Sequence, residues 1–505
     1  MYCISRAREI KMDTSNQSTL QVPHSFGFHY QATNNPCSPP TIMRLLALLL
    51  CLTCWALPAT GRKLEARLSA PLPNGTRRLE VEALFQRQPK TAVETSVGTA
   101  SIPAEIFNLI KLIVGAGALG LPAGVAAFGD HPTAILPAFV LVCLIGGLAG
   151  YGFSLIGMVC SATRARSYRQ AWAATVGSTT SWLPAAACLL VTCCSVLTNS
   201  MIQADAIPDI LQAYFGIKAA RTTALLSVTI LVLLPLCLMR SLAALAPFSL
   251  IGIFGMLYTC IAMAIRWLTG SYAEGSALAE SLAPHWRPSF GTRGWKAIFS
   301  PNVAILVAML SSSFMAHYNA PRMYWELRNN TLPRFNAVVA ASYAGAVGLM
   351  AALALAGFGT FGSSSASMIL NNYAVSDSIM SLSRVAVTIS LLFTFPLAFL
   401  GVREGVMDLL NVPGERRQKI SDPLTIVLLT IITCLAMTLK DIRYILSFGG
   451  ATWGNCVIYI FPALMVVQGA KKYPQLQSLV PTATLNGILG VVLGVVGTTR
   501  AIQSM

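Results

Sequence analysis

The stretch FNLIKLIVGAGALGLP, Phe107 to Pro122, opens the first long apolar run of this 505-residue chain. It carries an ammonium at Lys111, glycines at 115, 117 and 120, and a proline at 122. Each weakens a helix in lipid. A glycine costs about 0.5–1 kcal/mol against alanine in a helix interior, and a proline about 3 kcal/mol. A break at membrane depth also frees backbone N–H and C=O groups that lipid cannot satisfy. Such breaks persist only where the backbone lines a cavity or is buried in protein. Gly115-Ala116-Gly117 has no side-chain bulk and lets a ligand approach the backbone closely. Tight helix packing is the alternative, since Gly117 and Leu121, or Gly120 and Gly124, fit a seam of small residues at four-residue spacing.

The surrounding chain is a membrane protein by composition. It is 55% hydrophobic and 11% charged, with a mean hydropathy of +0.64, against about 25% charged residues in soluble proteins. Ten blocks lack Asp, Glu, Lys and Arg altogether, from 132–163 through 335–376 to 473–499. A spanning helix needs about 20 mainly apolar residues. Together with the opening stretch, the blocks predict an all-α polytopic protein with about eleven transmembrane helices. The short alternating strands of a β-barrel are missing. The net charge of +16 is scattered over loops and the N-terminal arm, with no basic stripe interleaved with aromatics, so nucleic acid is not the expected partner. Lys and Arg number thirteen in the loops on the side where the first span begins and ten on the other side, a weak bias for that side being cytoplasmic.

No cofactor or metal is expected. Of the 13 cysteines, nine lie in or beside apolar blocks, and Cys51-Leu-Thr-Cys54 faces no histidine pair at zinc spacing. The chain has five histidines, two of them in the arm, with no nucleophile elbow and no paired His–carboxylate cluster, so enzymatic chemistry is not expected.

Residues 1–104 form a polar N-terminal arm, and 105–500 a transmembrane domain. Within the arm, MRLLALLLCLTCWALPATG, Met43 to Gly61, has the grammar of a signal or targeting segment: an arginine, a short apolar run, then small residues. Translation from Met43 and cleavage near Gly61 are expected. An endomembrane, the plasma membrane and a plastid envelope all suit such a segment.

A second interrupted run lies in the sixth span, AILVAMLSSSFMAHYNAPRMYWEL, Ala304 to Leu327. Its break is expected at Ser311-Ser312-Ser313, ahead of His317, Asn319 and Pro321. Spans one and six head two five-span halves. Paired interrupted spans in matching positions point to a transporter site at the interface of inverted repeats.

The same residues resemble the amino acid/auxin permease family, which includes sodium-coupled neutral and vacuolar amino acid transporters. FNLIKLIVGAGALGLP is similar to that family's first span and SFMAHYNAPRMYWEL, Ser313 to Leu327, to its sixth. RVAVTISLLFTFPLAFLGVRE, Arg384 to Glu404, is similar to span eight, and DIRYILSFGGATWGNCVIYIFPAL, Asp441 to Leu464, to span ten. The proline of the sixth span stands one place earlier than in sodium-coupled members. The resemblance covers roughly residues 100–500 and implies a LeuT-type fold, with a 5+5 inverted repeat, broken spans one and six, and an eleventh helix. It implies secondary active transport of amino acids by alternating access. A sensor on the same fold is the alternative, and the short C-terminal tail favours transport.

On this reading the N–H groups at Gly115, Ala116 and Gly117 suit a substrate carboxylate at a half-helix N-terminus. The carbonyls at Ser311, Ser312 and Ser313 suit an α-ammonium, and Phe314 either closes over the substrate or is an ordinary packing side chain. In sodium-coupled members an asparagine stands at the place of Lys111 and helps bind sodium with span-eight hydroxyls, for which Thr388, Ser390 and Thr394 are candidates here. Asn108, Lys111 and Gly115 share one helix face. A lysine in the ion's place implies sodium-independent transport, coupled to protons or running as exchange; the alternative is a lysine snorkelling to the interface. His317 is a proton-carrier candidate or a hydrogen-bonded helix breaker. Glu326 and Arg403 are gating candidates or solvated interface charges. Asp205, near the end of span three, is expected to cap a loop.

Overall fold

Ser101 starts the first helix, its hydroxyl accepting from the Ala104 N–H at 3.4 Å, with Pro103 in the first turn where its missing N–H costs nothing. This computed structural model describes residues 98–239, 246–410, 412–439 and 441–503, without the side chains of 246–251 and 414. The candidate signal segment 43–61 and residues 1–97 of the expected arm lie outside the described residues.

The described chain is helical apart from two isolated β-bridges. Helices α1 (Ile102–Ile113) and α2 (Leu121–Phe128) are joined through a 3₁₀ turn at Ala116–Gly120 and bend by 44° at the break. They are followed by α3 (Ile135–Thr163), α4 (Tyr168–Thr175), α5 (Trp182–Phe215), α6 (Arg221–Val228) and α7 (Leu234–Leu238). A π-helical stretch joins the last two into one span. Helices α8 (Ala246–Leu268) and α9 (Ala277–Glu280) lead to the sixth span, α10 (Val303–Ser313) and α11 (Ala320–Glu326). The chain ends with α12 (Leu332–Phe361), α13 (Ser378–Leu409), α14 (Gly414–Thr438), α15 (Ile442–Gly449), α16 (Phe461–Gly469) and α17 (Val480–Gln503).

Among the described residues, nine helical runs are long and apolar enough to cross a membrane, and the bent α1–α2 pair makes a tenth. Helix α8, 23 residues long, occupies the place of the expected fifth span. The chain is an integral multi-pass membrane protein. Sheltering of the span cores grades from the centre outward: two-thirds of the apolar window is buried in Val303–Glu326 and in Ile442–Gly469, but only 17% in Pro474–Gln503. The sixth and tenth spans are therefore the middle of the bundle, and the last helix is the most exposed of these spans.

Two expectations are corrected. The serine triplet does not break the sixth span. Ser311–Ser313 form the last helical turn of α10, and the chain leaves the helix at Phe314–Ala316 before a 3₁₀ turn, His317–Asn319, re-enters α11. Serine has only modestly low helix propensity, and three in a row do not end a helix held by its neighbours. Asp205 is not a loop cap. It lies inside α5, which runs on through Pro208 to Phe215, and it pairs with Arg221 at 2.5 Å.

Candidate functional site

The two interrupted spans meet. A Cβ built on Gly117 would lie 2.9 Å from Ser313 Oγ and 3.5 Å from Leu446 Cδ2, so the glycine backbone rests against the last turn of α10 and against α15. At Gly115 the same construction meets nothing within 4 Å. The backbone there is extended, with φ −115° and ψ −156°, a conformation open to any residue. The break therefore has a packed face at Gly117 and an open face at Gly115.

The unsatisfied backbone groups fall on both sides of this contact. The Gly115 N–H is spent on Ile113 O at 3.0 Å, and Ala118 N–H on Gly115 O at 3.1 Å. The N–H groups of Ala116 and Gly117 have no acceptor among the described residues. They head the 3₁₀ turn that feeds α2, where helix ends carry partial positive charge. Across the seam, Leu310 O accepts from Phe314 N–H at 2.9 Å, and the carbonyls of Ser311, Ser312 and Ser313 accept from no donor among the described residues. The Ser313 hydroxyl is buried and likewise lacks a partner among them. Donors thus gather on span one and acceptors on span six.

Span ten forms a third wall that the sequence did not single out. A Cβ on Gly450 would collide with Ala308 O, and Tyr459 Oη lies 3.4 Å from Ser311 Oγ. This span widens into π-helical turns at Gly450–Gly454 and Cys456–Ile460, a geometry that often marks functional helices. The glycine pair in SFGGATWGN was the available signal.

Phe314 is fully buried against Tyr343, its ring 6.4 Å away, and against the backbone of Gly146; Tyr343 donates to Phe314 O at 3.3 Å. In this conformation it packs and covers no space at Gly115. His317 is also fully buried, with its Nε2 donating to Ala149 O at 2.9 Å and its ring edge-on to Phe153 at 5.6 Å. A carbonyl only accepts, which assigns the ring proton to Nε2.

Lys111 approaches span eight. A Cβ on Gly252 would stand 2.6 Å from Ser390 Oγ and 3.8 Å from Lys111 Cε, so α1, α8 and α13 converge there. Of the three hydroxyl candidates, Ser390 is at this point. Thr388 is buried, its hydroxyl without a partner among the described residues, and Thr394 donates to Ser390 O at 2.8 Å. Asn108 is exposed and is not drawn into the group.

Glu326 and Arg403 do not meet as a gate. Glu326 accepts from Arg322, one turn earlier, at 2.6 Å. Arg403 donates to Cys237 O at 3.3 Å and Thr425 Oγ1 at 3.1 Å. The side of the bundle where span one begins is closed by other groups. Ala100 N–H donates to Glu326 O at 3.0 Å and Arg328 N–H to Ala100 O at 2.9 Å. Trp325 donates to Ala165 O at 2.7 Å beneath the Arg166 guanidinium. On the far side a cavity of about 630 Å³ is lined by residues that include Asp209, Trp286, Asn371 and Tyr373. Beside it Arg384, 1% exposed, donates to Leu370 O at 2.9 Å and Tyr373 O at 2.6 Å and pairs with Asp209 at 3.2 Å.

Residues 98–503 match the family model described as transmembrane amino acid transporter protein. An Arabidopsis thaliana protein named amino acid transporter AVT6E is 25% identical over 426 residues, covering 80% of this chain and 84% of that one. Human sodium-coupled neutral amino acid transporter 7 is 24% identical over 422 residues, covering 79% and 86%. Among solved structures, MhsT in complex with L-phenylalanine aligns at 13% identity with a TM-score of 0.49, covering 77% of this chain and 98% of that one.

Proposed function

Because the chain belongs to the transmembrane amino acid transporter protein family, we propose that it moves amino acids across its membrane by secondary active transport, with a LeuT-type arrangement of two inverted halves and alternating access. The observation that carries this reading is the meeting of the two interrupted spans at Gly117 and Ser313. An amino acid has one anionic and one cationic group on a single carbon. The N–H groups of Ala116 and Gly117 supply donors for the carboxylate. The carbonyls of Ser311, Ser312 and Ser313, with the Ser313 hydroxyl, supply acceptors for the ammonium. Backbone recognition of this kind is indifferent to the side chain, which projects elsewhere.

Transport is proposed to need no sodium. Sodium held by span-eight hydroxyls would lie within a few ångströms of the Lys111 ammonium, whose Cε approaches the Ser390 contact. Two unit charges about 4 Å apart repel by about 4 kcal/mol at an effective dielectric near 20. The tethered ammonium instead occupies the ion's place, and transport runs as proton-coupled uptake or as exchange. The test is uptake of a labelled amino acid panel into proteoliposomes under imposed sodium and pH gradients in turn. Accumulation that requires sodium would remove the Lys111 reading and leave the transport reading standing.

A further inference from the structure

Glu105 stands in the first turn of α1 with a relative exposure of 1%, and neither carboxyl oxygen has a hydrogen-bond partner among the described residues. An acidic residue in a first turn ordinarily faces water or caps free N–H groups. Glu105 does neither; the cap is Ser101, and the Glu105 N–H is itself spent on Ser101 O. A carboxylate buried without a donor is heavily penalised, and a neutral carboxyl far less.

The surroundings tie this carboxyl to the closure of the bundle at the end where span one begins. The residues just before α1 form the bridge between Ala100 and Leu327. A Cβ on Gly98 would lie 2.6 Å from the carbonyls of Trp325, Glu326 and Leu327, so the segment is pressed against the end of α11. That helix also carries the charged residues Arg322 and Glu326. Arg322 is engaged by Glu326 at 2.6 Å. No ion pair joins Arg322 to Glu105 among the described residues, so the buried carboxyl has no charge partner there. Other ionisable groups on packed elements are committed elsewhere: Tyr343 of α12 to Phe314 O, and Arg266 of α8 to Asp377 at 2.6 Å. Arg334 lies in the first turn of α12, and Lys111 on Glu105's own helix is nearly two turns away.

We propose that Glu105 is a proton-binding site of the gate on this side. The carboxylate takes one proton from the adjacent aqueous phase as the gate closes and is buried as the neutral acid. Opening separates residues 98–100 from 326–328, hydrates the group and returns the proton to the same phase. Acid on this side favours the closed gate and alkali the open one. The step rests on the alternating-access reading, but its test does not require transport to be measured.

The test is amide hydrogen exchange of the full chain in nanodiscs, comparing wild type with Glu105→Gln at equal pH, so that intrinsic exchange rates cancel. The reporters are the bonded N–H groups of Ala100 and Arg328. At pH 8 the wild type is expected to exchange these amides about tenfold faster than Glu105→Gln, and at pH 5.5 the two are expected to coincide. Glu105→Met, apolar and similar in length, should behave as Glu105→Gln and serves if the amide variant does not insert. Equal protection of wild type and variant at both pH values would overturn the proposal. Absence of amino acid counterflow in wild-type proteoliposomes would instead overturn the transport reading and leave the exchange result to decide the gate.

Discussion

Gly117 and Ser313 face each other across the seam between the two interrupted spans, 2.9 Å separating the serine hydroxyl oxygen from the point where a Cβ on the glycine would stand. The contact joins a stretch that offers donors to one that offers acceptors. It also separates two roles that the sequence assigned to the glycines together: Gly117 packs, and Gly115 leaves space.

Gly115→Ala should therefore fold normally and transport poorly. Its backbone conformation admits a side chain, and nothing lies within 4 Å of the new methyl, so stability should hold or rise by about 0.4–1 kcal/mol. A misplaced methyl in a binding site costs about 1–3 kcal/mol, or roughly 10–200-fold. Labelled uptake and thermal unfolding of the same preparation check both halves.

Gly117→Ala should lose stability first, by about 1–3 kcal/mol, as an overpacked seam does. Ser313→Ala removes the oxygen that the new methyl meets, so the double variant should be more stable than Gly117→Ala alone. A double-mutant cycle on thermal unfolding measures the coupling, and strict additivity would place the two residues out of contact.

Much of this arrangement was legible in the sequence, for stated reasons. Gly115, Gly117 and Pro122 each oppose a helix intrinsically, and span one breaks there. The sixth span breaks three residues beyond the start of its serine triplet, because serine is only a mild helix breaker; the helix persists through Ser313 and fails at Phe314–Ala316. Asp205, near the end of span three, suggests a loop cap, yet α5 continues through Pro208, and Arg221, 16 residues on, turns back to meet the acid. The partners of Arg384 at Leu370 and Tyr373 come from a loop whose path has no periodic signature. Nothing in the sequence singles out Glu105, the first residue of the expected transmembrane domain. Its burial depends on the bridge at Ala100 and Leu327, which no local pattern encodes.

Arg384→Met should destabilise the far side of the bundle. The guanidinium holds Leu370 O and Tyr373 O and pairs with Asp209 while almost wholly buried. Removing one partner of a buried ionic contact costs about 3–5 kcal/mol. A fall in thermal midpoint, with faster proteolysis of the loop at 362–377, is the expected readout.

Asp130, in the loop after α2, accepts from Arg293 N–H at 2.6 Å and Arg293 Nε at 2.8 Å. Partial burial raises its carboxyl, but the Arg293 hydrogen bonds and charge outweigh this and hold it below the ordinary carboxylate range. A depressed folded-state value contributes stability that is present above the unfolded value, about 3.9, and is lost as pH falls through the folded one. Asp130→Asn should therefore lower the thermal midpoint at pH 7 and converge with wild type in strong acid. A constant difference at every pH would contradict this origin.

Lys111→Asn restores a neutral side chain where the ammonium stands. Sodium-independent uptake should fall, and sodium should begin to stimulate the remainder, because the charge that repels it is gone. Uptake in choline and in sodium media, wild type beside variant, reads the difference. Sodium stimulation of the wild type equal to that of the variant would return Lys111 to an interfacial role.

The central claim is that the seam at Gly117 and Ser313 binds the backbone of an amino acid and passes it across the membrane. Counterflow measures this most directly: purified chain in proteoliposomes loaded with an unlabelled amino acid mixture, labelled amino acids outside, and sodium at equal concentration in both phases. The account predicts transient accumulation of at least one labelled amino acid by wild type, with about tenfold less by Gly115→Ala. Absence of counterflow for every amino acid tested, or wild-type rates retained in Gly115→Ala, would contradict it.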